Sequence, residues 1–207
     1  MVTLVNYGLG NIQAFYHIYT RLNLPVTIAS TPEQLSQAEK IILPGVGAFD
    51  WAMTRLNHSG MREILDHLVI NQKVPVLGIC VGMQIMASCS EEGTMEGLGW
   101  IHGDVKKLDI GSEEQGVRRE LALPHMGWNH VNPVRENLLF AGMSDPRFYF
   151  LHSYCFLTSQ VCNILATTNY GRQFTAAVSD RHIYGVQFHP EKSHGWGIQL
   201  LKNFAEI

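Results

Sequence analysis

The chain has 207 residues, with 46% hydrophobic residues, 16% charged residues and a formal net charge of −3. This length is enough to bury a sizeable core without a disulfide scaffold, and the composition excludes a chain that is disordered throughout. The balanced charge argues against binding to nucleic acid or anionic membranes, and no apolar run reaches the roughly 20 residues of a membrane span. The first residues lack the basic region and cleavage site of a signal peptide, so we expect a soluble cytoplasmic protein.

The first half of the chain alternates short apolar runs with stretches of helical spacing. Asn11 is a suitable helix N-cap, and Ile12, Phe15 and Tyr19 follow it at helical spacing. This alternation predicts an α/β fold in which a mostly parallel or mixed sheet is flanked by helices. The predicted strands cover residues 2–6, 25–29, 41–43 and 74–79, and the predicted helices cover residues 12–22, 61–70 and 81–87.

The second half of the chain contains mostly strand-like runs and a closing helix at residues 198–204. We expect the strands to join the same sheet in antiparallel or mixed orientation. Residues 108–121 are polar and are predicted to form a mobile loop. No repeat or linker divides the sequence, so residues 1–207 are predicted to form one domain. The predicted strands of this half cover residues 105–108, 131–134, 148–151, 163–168, 174–178 and 183–188.

The cysteines form no CxxC pair and no cluster with the spacing of zinc ligands. We therefore expect free thiols and no metal site. At least one of these cysteines is then a candidate for chemistry. The four cysteines are Cys80, Cys89, Cys155 and Cys162.

The strongest local motif is Gly78-Ile79-Cys80-Val81-Gly82, which lies between a predicted strand and a predicted helix. This is the spacing of a nucleophile elbow with cysteine in place of serine. The glycines allow a sharp turn, and a helix N-terminus favours the thiolate form of Cys80. Taken alone, the motif fits a buried cysteine in a glycine turn equally well, but the flanking strand and helix favour a nucleophile.

A thiolate nucleophile requires a base, and the base requires a partner that orients it. His189 follows the predicted strand at residues 183–188, and the carboxyl ends of parallel strands meet at one edge of a sheet. His189 is therefore predicted to reach Cys80, with Glu191 bound to the other imidazole nitrogen. By itself, the tripeptide is also typical of a surface histidine at a strand end.

Acyl transfer also requires hydrogen-bond donors for the oxyanion. The amide of Val81 follows the nucleophile directly, and residues 44–47 (PGVG) end another strand at the same edge. Their glycines allow a close approach to a ligand, although a plain turn explains this segment equally well. The pair Gly8 and Gly10 lacks the third glycine and the acidic residue of a dinucleotide fingerprint, so we expect neither NAD nor FAD and no other cofactor.

Together these motifs resemble those of class I (triad-type) glutamine amidotransferases and, within that class, of the glutaminase subunits of imidazole glycerol phosphate synthase. They occur in the family's order and span nearly the whole chain. Asn6, Val81 and residues 87–89 depart from the usual pattern, but none of them belongs to the triad. The matching segments are residues 7–11, 43–49, 78–84, 90–93, 125–129, 152–154 and 187–193.

The resemblance implies a role for each matching position. Cys80 is implied to attack the side-chain amide of glutamine and form a γ-glutamyl thioester. His189 is implied to protonate the leaving ammonia and then to activate water, while Glu191 orients His189. The amides of Val81 and, after a backbone flip, Val46 are implied to form the oxyanion hole. The implied glutamine-binding residues are Gly47, Gln84, Glu92, Ser153 and Tyr154, with Glu92 near the α-amino group.

The resemblance also implies a heterodimer with a HisF-type (β/α)8-barrel that receives the ammonia. That partner would convert a phosphoribosyl-formimino intermediate (PRFAR) into imidazole glycerol phosphate and AICAR in histidine biosynthesis. Trp128 suits such an interface, although an ordinary core or rim aromatic is the alternative interpretation. The implied interface residues are Asn11, Met126, Trp128 and Lys192.

Other functions remain open on the sequence alone. A related glutaminase could supply ammonia to a HisF-like partner that amidates a surface-polysaccharide sugar, and its triad would look the same. A binding subunit without turnover would have lost a triad residue, and none is lost here. A stand-alone cysteine peptidase or hydrolase would have no use for Gln84, Glu92 or residues 125–129.

Overall fold

The computed structural model describes residues 1–111, 113–114, 117–118 and 121–207, with side chains described for residues 1–111 and 121–207. The helices are α1 (Ile12–Arg21), α2 (Pro32–Leu35), α3 (Phe49–His58), α4 (Arg62–Asp66), α5 (Val81–Gln84) and α6 (His194–Glu206). The strands are β1 (Val2–Val5), β2 (Val26–Ala29), β3 (Lys40–Gly45), β4 (Val76–Cys80), β5 (Cys89–Ser90), β6 (Asp104–Lys107), β7 (Glu113–Glu114), β8 (Val117–Arg118), β9 (His125–His130), β10 (Asn132–Pro133), β11 (Arg147–His152), β12 (Tyr154–Leu157), β13 (Ile164–Tyr170), β14 (Arg172–Asp180) and β15 (Ile183–Val186).

The largest sheet has eight strands in the order β10-β13-β14-β15-β4-β3-β1-β2. The strands from β15 to β2 in this order run parallel to one another. The strands β14, β13 and β10 continue the sheet in antiparallel pairing. The prediction of a mostly parallel or mixed sheet with antiparallel strands from the second half is therefore confirmed. Because β4 lies between β3 and β15, the carboxyl ends of these three strands lie side by side.

The local sequence explains the elements of the parallel half. Every residue of β1 is buried, as expected of a strand that is covered on both faces. Helix α1 begins after Asn11, whose side chain accepts a hydrogen bond from the Ala14 amide at 3.2 Å. The helix then buries Ile12, Phe15 and Tyr19 in the core. The predicted N-cap and the predicted apolar face of this helix are confirmed.

Other helices differ from the predictions. Helix α3 is not predicted from the sequence. It begins after Ala48, whose side chain makes no capping hydrogen bond, so the usual sequence signal for a helix start is missing. The helix predicted at residues 81–87 ends earlier, at Gln84. The helix predicted at residues 61–70 is α4 followed by a π-helical turn at His67–Asn71.

Several strands of the second half lie outside the main sheet. Strands β9 and β11 pair antiparallel in a two-stranded unit, which we call the ribbon. Strand β6 pairs with β5 and β12 in a small sheet. The expectation that residues 105–108 and 148–151 extend the main sheet is therefore wrong. Burial alternates along the ribbon strands, so each has one covered face, whereas a strand inside the main sheet is covered on both.

Part of the predicted mobile loop at residues 108–121 is a strand pair. Glu113–Glu114 pairs antiparallel with Val117–Arg118. Residues 112, 115–116 and 119–120 of the same segment lie outside the described residues.

All four cysteines lie in the described part of the chain and are free thiols, as predicted. Cys80 and Cys155 are buried, whereas Cys89 and Cys162 are exposed. Among the described residues, no helix combines the length and apolar character needed to cross a membrane. The described side chains also include no group of three or more His, Cys, Asp or Glu residues that could hold a metal ion.

Candidate active site

A cavity of about 340 Å³ lies at the carboxyl ends of β3, β4 and β15. It contains Cys80, His189 and every residue that the sequence analysis assigned to the oxyanion hole or to glutamine binding. Glu191 is buried behind His189. The lining residues are Val46, Gly47, Cys80, Val81, Gln84, Glu92, Pro124, Leu151, His152, Ser153, Tyr154, His189 and Lys192.

Cys80 occupies a strained turn between β4 and α5. Its φ angle is 55°, in a region that residues other than glycine rarely adopt. The neighbouring glycines are required by close contacts between backbone segments. A Cβ atom at Gly78 would lie 2.6 Å from the carbonyl oxygen of Gly82, and one at Gly82 would lie 1.9 Å from the carbonyl oxygen of Leu43. The turn therefore has the geometry of a nucleophile elbow.

His189 follows β15 and is held on several sides. Its Nδ1 atom lies 2.9 Å from Oε1 of Glu191, and both side chains are buried. Its backbone amide donates to the Tyr149 carbonyl at 2.9 Å, and the Ser193 hydroxyl donates to the His189 carbonyl at 2.6 Å. Because Glu191 occupies Nδ1, Nε2 is the ring nitrogen left for interaction with Cys80 in the cavity.

The groups around His189 determine its charge. Burial by itself lowers the pKa of His189, but the hydrogen bonds and negative charges of Cys80 and Glu191 together raise it to about 10. His189 is therefore an imidazolium ion at neutral pH. A cationic imidazole beside a cysteine is the usual setting of a sulfur nucleophile. The Oε2 atom of Glu191 is buried and makes no hydrogen bond to any residue that the structure describes, so Glu191 is anchored through Oε1.

Backbone amides from two strand ends lie close to Cys80. Strands β3 and β4 pair with Gly45 opposite Cys80, so Val46 and Val81 are the next residues of the two strand ends. The two segments are so close that a Cβ atom at Gly45 would lie 2.5 Å from the backbone nitrogen of Gly82. The two strand ends therefore bring the backbone of Val46 and Val81 to the cavity beside Cys80.

The loop that carries Glu92 is fastened to the first turn of α3. Glu92 accepts a hydrogen bond from the Phe49 amide at 2.9 Å. Asp50 accepts hydrogen bonds from the amides of Thr94 and Met95, at 2.9 and 3.0 Å. These bonds hold the pKa of Asp50 below its ordinary value. Together they place the Glu92 carboxylate at the cavity wall.

Two glutamine side chains connect Cys80 to the turn between β11 and β12. Gln84 donates to the Tyr154 carbonyl at 3.0 Å and to Oε1 of Gln187 at 3.1 Å. The Nε2 atom of Gln187 lies 3.8 Å from the Cys80 sulfur. Residues Ser153 and Tyr154, which we call the corner, mark the point where the chain leaves the ribbon and enters the small sheet.

Comparison with known proteins gives the family to which this geometry belongs. A model of the glutamine amidotransferase class-I family matches residues 3–207. The chain belongs to the class I glutamine amidotransferases. The HisH subunit of imidazole glycerol phosphate synthase from Bdellovibrio bacteriovorus is 57% identical over 208 residues, which cover 100% of both chains. The HisH subunit from Leptospira borgpetersenii is 48% identical with the same coverage.

A solved structure of another glutamine amidotransferase shows the same fold. The glutamine amidotransferase from Thermotoga maritima has a TM-score of 0.62, covers 92% of this chain and 75% of its own, and is 19% identical. At that identity the likeness concerns the fold alone. The full-length identities above place this amidotransferase with the HisH subunits.

The four residues that the resemblance assigned to a partner interface lie in different settings. Met126 and Trp128 point outward from β9, with 64% and 41% of their surface exposed. Trp128 stacks on His194, with ring centroids 5.3 Å apart. Lys192 lines the cavity itself, and Asn11 is exposed at the start of α1.

The structure adds residues that the sequence analysis did not assign to the amidotransferase site. Gln187 and His152 both lie in segments that resemble the family. The sequence therefore contained these residues within family motifs, but it did not show that Gln187 contacts Cys80 or that His152 lines the cavity. Leu151 and Pro124 also line the cavity. Tyr7 donates its hydroxyl to the Pro44 carbonyl at 2.7 Å and so fixes the start of the segment that follows β3.

Proposed function

We propose that this HisH-type chain is a glutaminase whose catalytic triad is Cys80, His189 and Glu191. The observation that carries this proposal is the charged pair at the elbow. A strained, buried cysteine lines the same cavity as a histidinium ion, which a buried carboxylate orients. Such an arrangement supplies a thiolate, an acid and an orienting group in one cavity.

The first half of the reaction follows from this arrangement. The Cys80 thiolate attacks the side-chain amide carbon of glutamine, and the carbonyl oxygen becomes an oxyanion. The amides of Val81 and, after a flip of the peptide, Val46 stabilise that oxyanion. His189 donates its Nε2 proton to the leaving nitrogen, so that ammonia departs and a γ-glutamyl thioester remains.

The second half of the reaction uses the same groups in reverse. After proton donation His189 is neutral and accepts a proton from a water molecule, which attacks the thioester carbon. The second oxyanion collapses, the bond to sulfur breaks, and glutamate leaves. The Cys80 thiolate and the His189 imidazolium ion are then restored. Throughout the cycle Glu191 keeps the Nδ1 proton and the ring orientation fixed.

We propose that the rest of the cavity recognises the amino-acid end of glutamine. A cavity of about 340 Å³ suits a small polar substrate. The Glu92 carboxylate pairs with the α-ammonium group, and the backbone at Gly47 and at the corner receives the α-carboxylate. Gln84 supports the corner through its hydrogen bond to the Tyr154 carbonyl. These assignments follow the family positions, all of which line this one cavity.

We propose that residues 1–207 form one glutaminase domain that docks on a HisF-type (β/α)8-barrel in the cytoplasm. Ammonia must reach its acceptor before water protonates it, so an enclosed route into a second active site is required. The outward side chains of Met126 and Trp128 lie on the ribbon, whose residue Leu151 lines the cavity. The barrel would use this ammonia to convert PRFAR into imidazole glycerol phosphate and AICAR.

The nucleophile is tested with the variant Cys80→Ala in complex with a HisF-type barrel and PRFAR. We expect glutamate release from glutamine to fall by about four orders of magnitude, because no other group in the cavity can form the thioester. Formation of imidazole glycerol phosphate from added ammonium salts should remain, since it does not use Cys80. The variant Cys162→Ala, which changes an exposed cysteine outside the cavity, is the matched control.

Two results would contradict parts of this proposal separately. Glutamate release by Cys80→Ala at the wild-type rate would exclude Cys80 as the nucleophile. If the wild-type chain releases glutamate but is not activated by a competent HisF-type barrel with PRFAR, the partner and acceptor are wrong. The search would then move to the alternative function, the supply of ammonia to a HisF-like partner that amidates a surface-polysaccharide sugar.

A further inference from the structure

Two buried histidines beside the cavity have no part in the mechanism described above. His125 begins β9, and His152 ends β11 opposite it. His125 is stacked between Phe150 and Tyr170, with ring centroids 4.8 and 4.1 Å apart. His152 lines the cavity next to the corner. Buried polar side chains in such apolar surroundings require hydrogen-bond partners.

The two histidines form a continuous hydrogen-bonded chain from the ribbon to the corner. The Nδ2 atom of Asn129 lies 3.4 Å from Nε2 of His125, and Nδ1 of His125 lies 3.1 Å from Nε2 of His152. Nδ1 of His152 lies 2.8 Å from the Tyr154 carbonyl oxygen. That oxygen also accepts the hydrogen bond from Gln84. All four ring nitrogens are therefore used.

The direction of every hydrogen bond in this chain is determined by its ends. The Tyr154 carbonyl can only accept, so Nδ1 of His152 carries the proton and its Nε2 is an acceptor. Nδ1 of His125 must then donate, and its Nε2 accepts from the Asn129 amide. The same Asn129 amide nitrogen donates to the Asn169 carbonyl at 2.7 Å, which fixes the amide orientation. The chain is complete when both rings are neutral.

The protonation states of His125 and His152 agree with this direction of hydrogen bonding. Burial lowers the pKa of His125 to about 4. Burial, offset in part by the Tyr154 carbonyl, lowers the pKa of His152 to about 3. Both rings are neutral at physiological pH. A second proton on His152 would place two N–H donors face to face and break the chain.

We propose that His125 and His152 are positioning residues, which hold the corner of the glutamine pocket through the Tyr154 carbonyl. The proposal rests on the proposed function, since it assigns the corner to the substrate's α-carboxylate. His152 bridges Ser153 by bonding the carbonyl two residues further on. The Ser153 carbonyl is itself bound to the Leu108 amide at 2.8 Å. Because the C=O and N–H of one peptide point in opposite directions, the Leu108 bond fixes where the Tyr154 amide points, and the His152 bond fixes the peptide that follows Tyr154.

The chain also connects the pocket to the outer face of the ribbon. Side chains alternate along β9, so His125 and Asn129 lie on the covered face and Met126 and Trp128 on the exposed face. A displacement of β9 therefore moves the first members of the chain directly. The position of the corner is set by the same strand whose outer face is proposed to meet the partner.

The proposal is tested by comparing His152→Leu with His152→Asn in the complex with the barrel and PRFAR. Leucine removes both hydrogen bonds, whereas the asparagine amide can still donate to the Tyr154 carbonyl. We expect His152→Leu to raise KM for glutamine about tenfold with little change in kcat, and His152→Asn to restore most of the affinity. His182→Leu is the matched control, because His182 bonds the Val69 carbonyl at 2.7 Å away from the cavity.

Two further measurements separate positioning from a general loss of stability. In a double-mutant cycle, adding His125→Leu to His152→Leu should leave KM unchanged from the single variant, because both act through one chain. Nitrogen-15 NMR of histidine in the full chain at neutral pH should show both rings with the proton on Nδ1. The tautomer measurement needs no substitution, so it holds even if a leucine variant fails to fold.

The proposal is overturned if His152→Leu binds glutamine with unchanged KM, if both substitutions at position 152 behave alike, or if either ring carries its proton on Nε2. These outcomes differ from a failure of the proposed function. That failure would appear as glutamine hydrolysis that does not depend on Cys80.

Discussion

The cavity has two walls that use buried histidine in opposite ways. The elbow wall consists of Cys80, His189 and Glu191 at the ends of parallel strands in the main sheet. The corner wall consists of Ser153 and Tyr154 with the two histidines behind them, outside that sheet. His189 and His152 are both buried, yet the pKa of His189 is raised to about 10 and that of His152 is lowered to about 3.

The difference shows that burial alone does not decide the charge of a histidine. His189 has two anionic neighbours, whose attraction exceeds the desolvation cost. His152 is buried against a neutral ring and a carbonyl, and the positive charge of His189 further disfavours its protonation. The charged wall can move protons, and the neutral wall can hold a fixed hydrogen-bond direction. In the proposed function the charged wall carries the chemistry, and the neutral wall carries part of the recognition of glutamine.

The largest expected effect comes from making the elbow wall resemble the corner wall. Glu191→Gln removes one of the two neighbours that raise the pKa of His189, so this pKa should fall and the ring should lose the group that orients it. We expect glutamate release to fall about a thousandfold, as in other triads that lose the orienting acid. A steady-state assay with an NMR titration of His189 checks both effects. Glu206→Gln, at an exposed residue of α6, serves as the control, and wild-type activity of Glu191→Gln would refute the role of the carboxylate.

A smaller effect is expected on the outer face of the ribbon. Trp128→Ala removes an exposed aromatic side chain stacked on His194 while leaving the covered face of β9 intact. We expect binding to the HisF-type barrel to weaken about tenfold, because large aromatic side chains dominate such interfaces. KM for glutamine should change much less. Titration of the barrel, with calorimetry or activity as readout, distinguishes the two. Unchanged binding would mean that Trp128 only packs against its neighbours.

The pH dependence of stability should also differ in sign between the walls. The unfolded chain takes up protons on His125 and His152 near pH 6.5, whereas the folded chain does so only at about pH 4 and 3. These residues therefore cost stability as the pH falls below about 6.5. His189 behaves oppositely, since its stabilising contribution is present below about pH 6.5 and is lost as the pH rises towards 10.

Urea unfolding midpoints test this difference when they are measured at intervals of about half a pH unit, from about pH 4.5 to about pH 9.5. The acid slope should flatten in His152→Asn, and the alkaline slope should flatten in His189→Asn. Identical pH profiles in the wild type and both variants would contradict the assigned protonation states.

The sequence predicts the elbow wall because its signals are local. Glycine spacing around Cys80 and the position of His189 after an apolar strand both follow from strand and helix geometry. The parallel sheet brings the ends of the strands together without further information. Cys80 and His189 therefore share one cavity in the structure, and Glu191 lies behind His189.

The corner wall is not predictable in the same way. The roles of His125 and His152 arise from the pairing of β9 with β11, and no local sequence pattern predicts that pairing. The alternation of buried and exposed residues suggests strands but does not say which sheet they join. The contact of Gln187 with Cys80 likewise requires β15 to lie next to β4. Such contacts depend on register across the sheet and so require the fold.

The close approach of Gly82 to Leu43 also limits how the turn around Cys80 can change in evolution or be transferred by engineering. The contact joins backbone to backbone, so no change of side chain on either segment can compensate for a larger residue at position 82. Neither segment can be exchanged by itself without losing the fit. A designer who transplants the cysteine turn into another scaffold must therefore carry the neighbouring strand with it, as one two-piece unit.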